Sequence, residues 1–343
     1  MKILHCADIH LDSAMTSNMD QERAVSRRHE LLITFIRMNE YAAEHDVNMI
    51  LIAGDLFDTE FVTENTRQQV MSCIAHNQRI QYVYIEGNHD ERTFMSQLAK
   101  CPDNLHFLEE GQSFDLEEVT VLAAAAPEQV NLAAGRTNIV MMHGEPDVKA
   151  FAGRNIDYLA LGHLHTFRST AIDERGVACY SGCLEGRGFD ETGDKGFVLL
   201  EIGKTGRKLR PQFIPFASRH VMECEVRMDG INQMQDLVQA IDEALIQSGA
   251  RKCDMVRIKL IGHVSIEFHV NREYLKKYYE NRFFMFAIKD DELKSEIDVD
   301  DYENDISLKG AFIRKVLASE YSESDQRKMM ELGIAALLGE ETF

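Results

Sequence analysis

The stretch Ile80–Asp90, IQYVYIEGNHD, decides how the rest of the chain is read. Ile80–Ile85 is rich in β-branched, aromatic and apolar residues, the composition of a buried strand. The run breaks at Gly87 and presents Asn88, His89 and Asp90 in succession. Alone, Gly-Asn is an ordinary turn pair, and Asn or Asp after a strand commonly caps the next helix. Its meaning depends on whether other strands end the same way.

Four others do. Lys2–Ala7 runs into Asp8-Ile9-His10, and Asn48–Ala53 into Gly54-Asp55-Leu56-Phe57-Asp58. Asn138–Met142 runs into His143, and Tyr158–Leu161 into Gly162-His163-Leu164-His165. On extended chain, positions i and i+2 point the same way, so Asp8 with His10 and His163 with His165 can each share a ligand. Helical periodicity over Glu22–Glu44 and over Thr63–His76, with Thr63 as N-cap, separates the first three strands. This β-α-β-α-β order predicts a mainly parallel sheet with helices on its faces. The carboxyl ends of such strands lie along one edge, where ligands bind. After Asp90 the strand candidates are short and little helix lies between them, so antiparallel connections are expected there.

The shared edge would collect Asp8, His10, Asp55, Asn88, His143, His163 and His165. Oxygen and imidazole donors without thiolate suit Mn, Fe, Zn or Mg. They are too many for one ion and about right for two bridged by a common carboxylate, an arrangement that hydrolyses phosphate esters. Singly, each residue reads more plainly as a turn or surface group; jointly, metal binding is the better reading. His5 and the remaining histidines have no such setting and read as structural or exposed.

Bulk properties bound the problem. The chain has 343 residues, 45% hydrophobic and 27% charged, which suits a soluble protein of two domains. Seven cysteines without a CxxC pair point to reduced thiols, not to a disulfide framework or zinc cluster. The N-terminus turns polar within five residues and no apolar run approaches membrane-spanning length, so a cytoplasmic protein is expected. A net charge of −20 argues against passive binding of nucleic acid through a basic surface. It leaves room for a polyanionic substrate if metal ions supply local positive charge. Near Pro215 the pattern resets to a smaller strand–helix–strand unit. An acidic stretch, Lys289–Asp305, follows and reads as a linker, and then come two helices, Leu308–Glu320 and Glu323–Leu338.

In order, DxH, GDxxD, GNHD, a lone His and GHxH resemble the calcineurin-like metallophosphoesterase superfamily over about Met1–Phe216. By that likeness Asp8, His10, Asp55 and His165 hold one divalent ion, and Asp55, Asn88, His143 and His163 hold a second, with manganese the first choice. His89 would face the substrate phosphate or the leaving oxygen, and Asp90 would fix the His89 tautomer. GDLFDTE lacks the arginine of the phosphoprotein phosphatases. KILHCADIHLD, LIAGDLFDTE, DYLALGHLH and YSGCLEGRGFDETGDKGFVLLEI are similar to the SbcD-type DNA repair exonucleases, especially the shorter YhaO-type group.

That resemblance implies a nuclease domain at 1–216, built as a two-sheet α/β/β/α sandwich. It implies an α/β capping domain at 217–289, and an acidic linker with C-terminal helices at 290–343 that dock on an SbcC-like coiled-coil ATPase. The implied substrate is DNA, cleaved by exo- or endonucleolytic hydrolysis. Arg92 and Arg187, with Arg154, Arg168 and Lys195, are the candidate phosphate contacts. A homodimer through helices near the first strands is also implied, although the stripe Leu31, Leu32 and Phe35 reads better as core. Two other readings stand beside it: a small-molecule or cyclic-nucleotide phosphodiesterase, and a catalytically silent scaffold for the ATPase. The sequence departs from the SbcD pattern in a shorter segment between Asp90 and His143, and in Cys183, where Ser-Pro is common.

Overall fold

A computed structural model describes residues 1–15, 19–58, 62–90, 101–203, 209–265, 268–296 and 302–338. The chain forms two compact units, Met1–Val221 and Met222–Phe343.

The first unit is built on two six-stranded sheets. Strands β1 (Lys2–Cys6), β2 (Met49–Ala53), β3 (Gln81–Ile85) and β4 (Leu105–Phe107) pair in parallel, in that order. On the other side of β1 the sheet continues through β11 (Gly196–Glu201) and β12 (Gln212–Pro215), both antiparallel. Helix α1 (Gln21–Glu44) is capped by the Asp20 carboxylate on Arg23 N, and α2 (Glu64–His76) by the Thr63 hydroxyl on Thr66 N.

The reason the strands read as unbroken apolar runs is that both faces are covered. One face of the sheet, with Leu4, Cys6, Ile50, Ile52, Tyr82 and Tyr84, packs on Leu31, Phe35, Met38 and Ala42 of α1 and on Val70 and Ile74 of α2. Leu31, Leu32 and Phe35 are thus buried in the core of their own chain. The opposite face, with Ile3, Leu51, Ala53 and Val83, meets Val121, Ile139, Met141, Tyr158 and Ala160 of the second sheet.

The second sheet contains β5 (Ser113–Leu116), β6 (Val119–Ala123), β7 (Thr137–His143), β8 (Tyr158–Gly162), β10 (Val177–Tyr180) and β9 (Arg168–Ala171), in that spatial order. The expectation of antiparallel connections here is corrected. Pairs β6–β7, β7–β8 and β8–β10 are parallel, and only β5–β6 and β9–β10 are antiparallel. The β6–β7 and β7–β8 crossovers are loops with single 3-10 turns, Pro127–Gln129 and Val148–Phe151, too short to register as helices in the sequence, and the β8–β10 crossover runs through β9. Val130 and Phe151 from these connections cover the outer face of the sheet over Val140, Leu159 and Leu161.

The second unit has a three-stranded sheet in the order β13 (Val221–Arg227), β14 (Met255–Ser265) and β15 (Met285–Glu296). Helices α3 (Met234–Ser248) and α4 (Arg272–Tyr279) supply Leu237, Ile241, Leu275 and Tyr279 to a core with Val256, Ile258 and Phe286. The residues expected to open an acidic linker at 290 instead complete β15, paired in parallel with β14. The acidic side chains are compensated across the ladder and beyond it: Glu292 lies 2.8 Å from Lys259, and Asp290 lies 2.7 Å from Arg272. Helices α5 (Leu308–Leu317) and α6 (Glu323–Leu338) bury Ile313, Val316, Met330 and Ile334 together with Tyr302. Leu317 and Leu337, on the same two helices, are exposed.

Candidate metal centre

The backbone beyond β1 and β2 continues to pair after the strands end. Asp8 N donates to Gly54 O at 3.1 Å, and His10 N to Asp55 O at 3.0 Å. Leu11 N donates to Leu56 O at 3.0 Å and Asp58 N to Leu11 O at 3.0 Å. This clasp holds Asp8, His10 and Asp55 at φ of 52°, 50° and 51°, a left-handed conformation disfavoured for residues with a Cβ. His163 is held at φ 99°. Such strain persists only where surrounding structure over-determines it, and it clusters at functional sites.

The glycines of the motifs are steric requirements. A Cβ on Gly54 would lie 2.3 Å from His143 Nδ1, and one on Gly87 would lie 2.1 Å from Asp55 Oδ1.

Asp55 is the hub. Its Oδ1 accepts from His89 N at 2.8 Å, while Oδ2 lies 3.3 Å from His143 Nε2 and 3.7 Å from His10 Nε2. His143 Nδ1 donates to Ala53 O at 2.9 Å, which leaves Nε2 as a lone pair in the neutral ring. That Nε2 is 2.9 Å from Asn88 Oδ1, which is itself 3.3 Å from His163 Nδ1. On the other side of Asp55, His10 Nε2 faces His165 Nε2 at 3.3 Å, with the His165 Nδ1 proton engaged by Glu191 Oε1 at 2.7 Å. Asp8 turns both oxygens to His163 N, at 2.9 and 3.0 Å. All seven sequence-predicted ligands therefore stand at one edge, and Asp8 with His10 and His165, and Asp8 with Asp55 and His143, form groups tight enough to hold an ion.

The donor set fits two divalent cations. Asn88 Oδ1 and Asp55 Oδ2 are acceptors, and the neutral His143 and His165 rings, each engaged at Nδ1, present Nε2 lone pairs beside His10 Nε2. Convergent lone pairs in a buried place repel unless a positive charge lies among them. Asp8, His10 and Asp55 are 1%, 0% and 1% exposed. Burial pushes the Asp8 carboxyl above its ordinary range and the His10 imidazole down to about 3, so His10 presents a free lone pair at neutral pH. Burial also opposes the Asp55 charge, but a His143 ring protonated at Nε2 and the His89 N–H outweigh it and hold that carboxyl low. Burial likewise opposes the His143 charge, and Asp55 outweighs it and raises that imidazole, so a bound cation would take the place of this proton.

His89 projects from this edge with its side chain about half exposed. Its partner differs from the expectation. The oxygens of Asp90 accept from Phe57 N at 3.0 Å, Gly87 N at 2.9 Å and Leu56 N at 3.4 Å, so Asp90 ties the GNHD turn to the GDLF turn. The carboxylate beside His89 Nδ1 is Asp58, at 3.5 Å. Asp58 closes the GDLFD stretch, and its place at a strand end was the signal for it. Glu191 carried no such signal, since it lies far along the chain in a loop with no strand end of its own.

Of the basic residues, Arg187 lies at the site and Lys195 donates to His165 O at 2.6 Å. Arg154 turns to Val130 O, Arg168 lies exposed on β9, and Arg92 falls outside the described residues. All seven cysteines are free thiols. No helix among the described residues is long and apolar enough to cross a membrane.

Residues 1–167 match the family model of the calcineurin-like phosphoesterases. The chain is 24% identical over 242 residues to the uncharacterized metallophosphoesterase YhaO of Bacillus subtilis, covering 59% of this chain and 57% of that protein. It is 22% identical to the DNA double-strand break repair protein Mre11 of Sulfolobus acidocaldarius, covering 97% of each. A solved structure from Thermus thermophilus is 10% identical and covers 62% of this chain and 98% of its own, with a TM-score of 0.41. With the ordered strand-end motifs and the edge they build, the family match identifies residues 1–167 as a calcineurin-like phosphoesterase domain.

Proposed function

We propose that this phosphoesterase hydrolyses DNA phosphodiester bonds with two divalent cations, manganese being the first choice. The observation that carries the reading is the gathering of His10, Asn88, His143, His163 and His165 around the buried Asp55 carboxylate, so that five strand ends meet at one edge. Asp8, His10, Asp55 and His165 would hold one ion, and Asp55, Asn88, His143 and His163 the other. When bound, the pair supplies Lewis-acid stabilisation of the charge that develops on the phosphoryl oxygens.

The protein's own part is positioning and proton handling. Asp55 fixes the backbone of His89, and Asp58 lies against the Nδ1 side of its half-exposed ring, so that Nε2 is the nitrogen that would orient the phosphate or protonate the leaving oxygen. Asp90 holds the two motif turns at a fixed separation and acts on His89 through the backbone. DNA as substrate is supported by similarity along nearly the whole chain to a double-strand break repair protein. A coiled-coil ATPase partner is supported by the exposed Leu317, Tyr321, Leu332 and Leu337 on and between the last two helices. Residues 217–289 would act as the cap.

Incubation of the metal-loaded protein with linear DNA should release nucleotides, and Asp55→Ala should abolish the release. Undiminished cleavage by Asp55→Ala, or turnover of cyclic nucleotides with indifference to long DNA, would overturn the nuclease reading.

A further inference from the structure

Arg187 was a candidate phosphate contact, yet its guanidinium is directed at carboxylates. Nε and Nη2 donate to Glu191 Oε1 at 3.0 and 2.7 Å, and Nη1 lies 3.8 Å from Asp58 Oδ2. Glu191 is 5% exposed and every direction around it is used. Oε1 also accepts the His165 Nδ1 proton at 2.7 Å, and Oε2 accepts from Arg187 N at 2.7 Å and from the Cys183 thiol at 3.8 Å. The carbonyl of His165 is gripped separately by Lys195 Nζ at 2.6 Å and Cys183 N at 3.4 Å. Asp58 in turn lies 3.5 Å from His89 Nδ1. Side chains thus run in a chain from His165 through Glu191, Arg187 and Asp58 to His89.

We propose that Glu191 and Arg187 are positioning residues that form a clamp. Glu191 holds His165 as an Nε2 donor towards the cation site, and Arg187 ties that carboxylate to Asp58 and so couples the metal side of the centre to His89. The inference rests on the dinuclear reading above. Two physical points support it. A ligating imidazole needs its second nitrogen engaged by an acceptor that fixes tautomer and ring orientation, and removing such an acceptor weakens metal affinity about 10–100-fold. A planar guanidinium can bridge two carboxylates in fixed geometry, and the loop 185–195, EGRGFDETGDK, is the segment that brings it to this edge. An arginine already facing two carboxylates has little left to offer a phosphate.

The test uses full-length protein stripped with chelator and titrated with Mn2+ in a calorimeter, and hydrolysis of bis(4-nitrophenyl) phosphate. Wild type should take up two ions. Glu191→Gln should bind one of them about 10–100-fold more weakly. Arg187→Met should lower kcat about tenfold and weaken the same ion, with KM for the diester unchanged. Thermal melts of the stripped proteins establish that each variant is folded, and Arg187→Met decides the matter if Glu191→Gln is not. If Arg187→Met raises KM and leaves Mn2+ affinity intact, Arg187 is a phosphate contact and the clamp is overturned. Wild-type affinity in Glu191→Gln likewise overturns it while the dinuclear reading stands. If wild type takes up no pair of ions, that reading falls and the clamp with it.

Discussion

The metal edge and the network around Arg27 both bury charge in the first unit, and they are built in opposite ways. Arg27 is 0% exposed, inside α1. Its guanidinium donates to Glu185 Oε2 at 2.7 Å, to Gly186 O at 2.6 Å and to Glu30 Oε2. Glu30 is shared with Arg219 at 2.7 Å. The other oxygen of Glu185 accepts from the Thr34 hydroxyl at 2.7 Å and from Ser218 N at 2.6 Å. Each carboxylate there meets a cation. At the metal edge, Asp8 and Asp55 meet backbone N–H groups and imidazoles instead of guanidinium groups. A self-compensated cluster is architecture, whereas an uncompensated one at the end of five strands is a receptor for positive charge.

That contrast can be broken by mutation. The largest effect is expected from Asp55→Ala, which should lower Mn2+ affinity by more than about 100-fold, beyond the loss for an outer partner, and remove diester hydrolysis. In chelator its urea midpoint should change less than that of an Arg27 variant. Next, His89→Gln should lower kcat about 10²–10⁴-fold while calorimetry still counts two ions, separating the substrate side from the metal side. Arg27→Met should reverse the pattern. It leaves Glu185 buried without its cation, at a cost of about 3–5 kcal/mol in urea unfolding, with Mn2+ affinity of the folded protein unchanged.

The smallest effect concerns acid. Burial works against the Glu30 charge, but Arg219 and Arg27 outweigh it and hold the carboxyl below its ordinary range. A carboxyl lowered in the folded state contributes stability above its unfolded pKa, and the contribution is lost as pH falls through the folded value. Urea midpoints of wild type should therefore decline below about pH 4.3, and Glu30→Gln should show a shallower decline. A decline of equal slope in both proteins would remove Glu30 from the network's charge balance.

The metal edge was far more legible in the sequence than the Arg27 network. Strands covered on both faces must be apolar throughout, so a polar residue at each end stands out, and Asp8, His10, Asp55, Asn88, His143, His163 and His165 are all of that kind. Residues that act by reaching across the fold leave no local mark. Arg27 sits in a helix of ordinary charge content, and Glu185 and Glu191 sit in a loop, with their partners as many as 158 positions away in Arg27–Glu185. The exchange of Asp58 for Asp90 beside His89 was illegible for a related reason. Both carboxylates close a motif turn, and only the direction of the chain after each turn decides which one reaches the ring. The parallel order of the second sheet was hidden by crossovers of a single 3-10 turn, and the second half of β15 by a charge content that resembles a solvated linker.

The span of the acceptors along the chain has a consequence for the life of the protein. His163 N and the Asp8 carboxylate that receives it are 155 positions apart and belong to different sheets. An unfolded chain cannot assemble such a set, so cations that bind it bind the folded form. At a free ion concentration about 100 times Kd, one site adds about 2.7 kcal/mol to the folded state. On the dinuclear reading, metal supply would set how long the chain survives as well as how fast it turns over, and a molecule starved of its ions would become the readier prey of proteases.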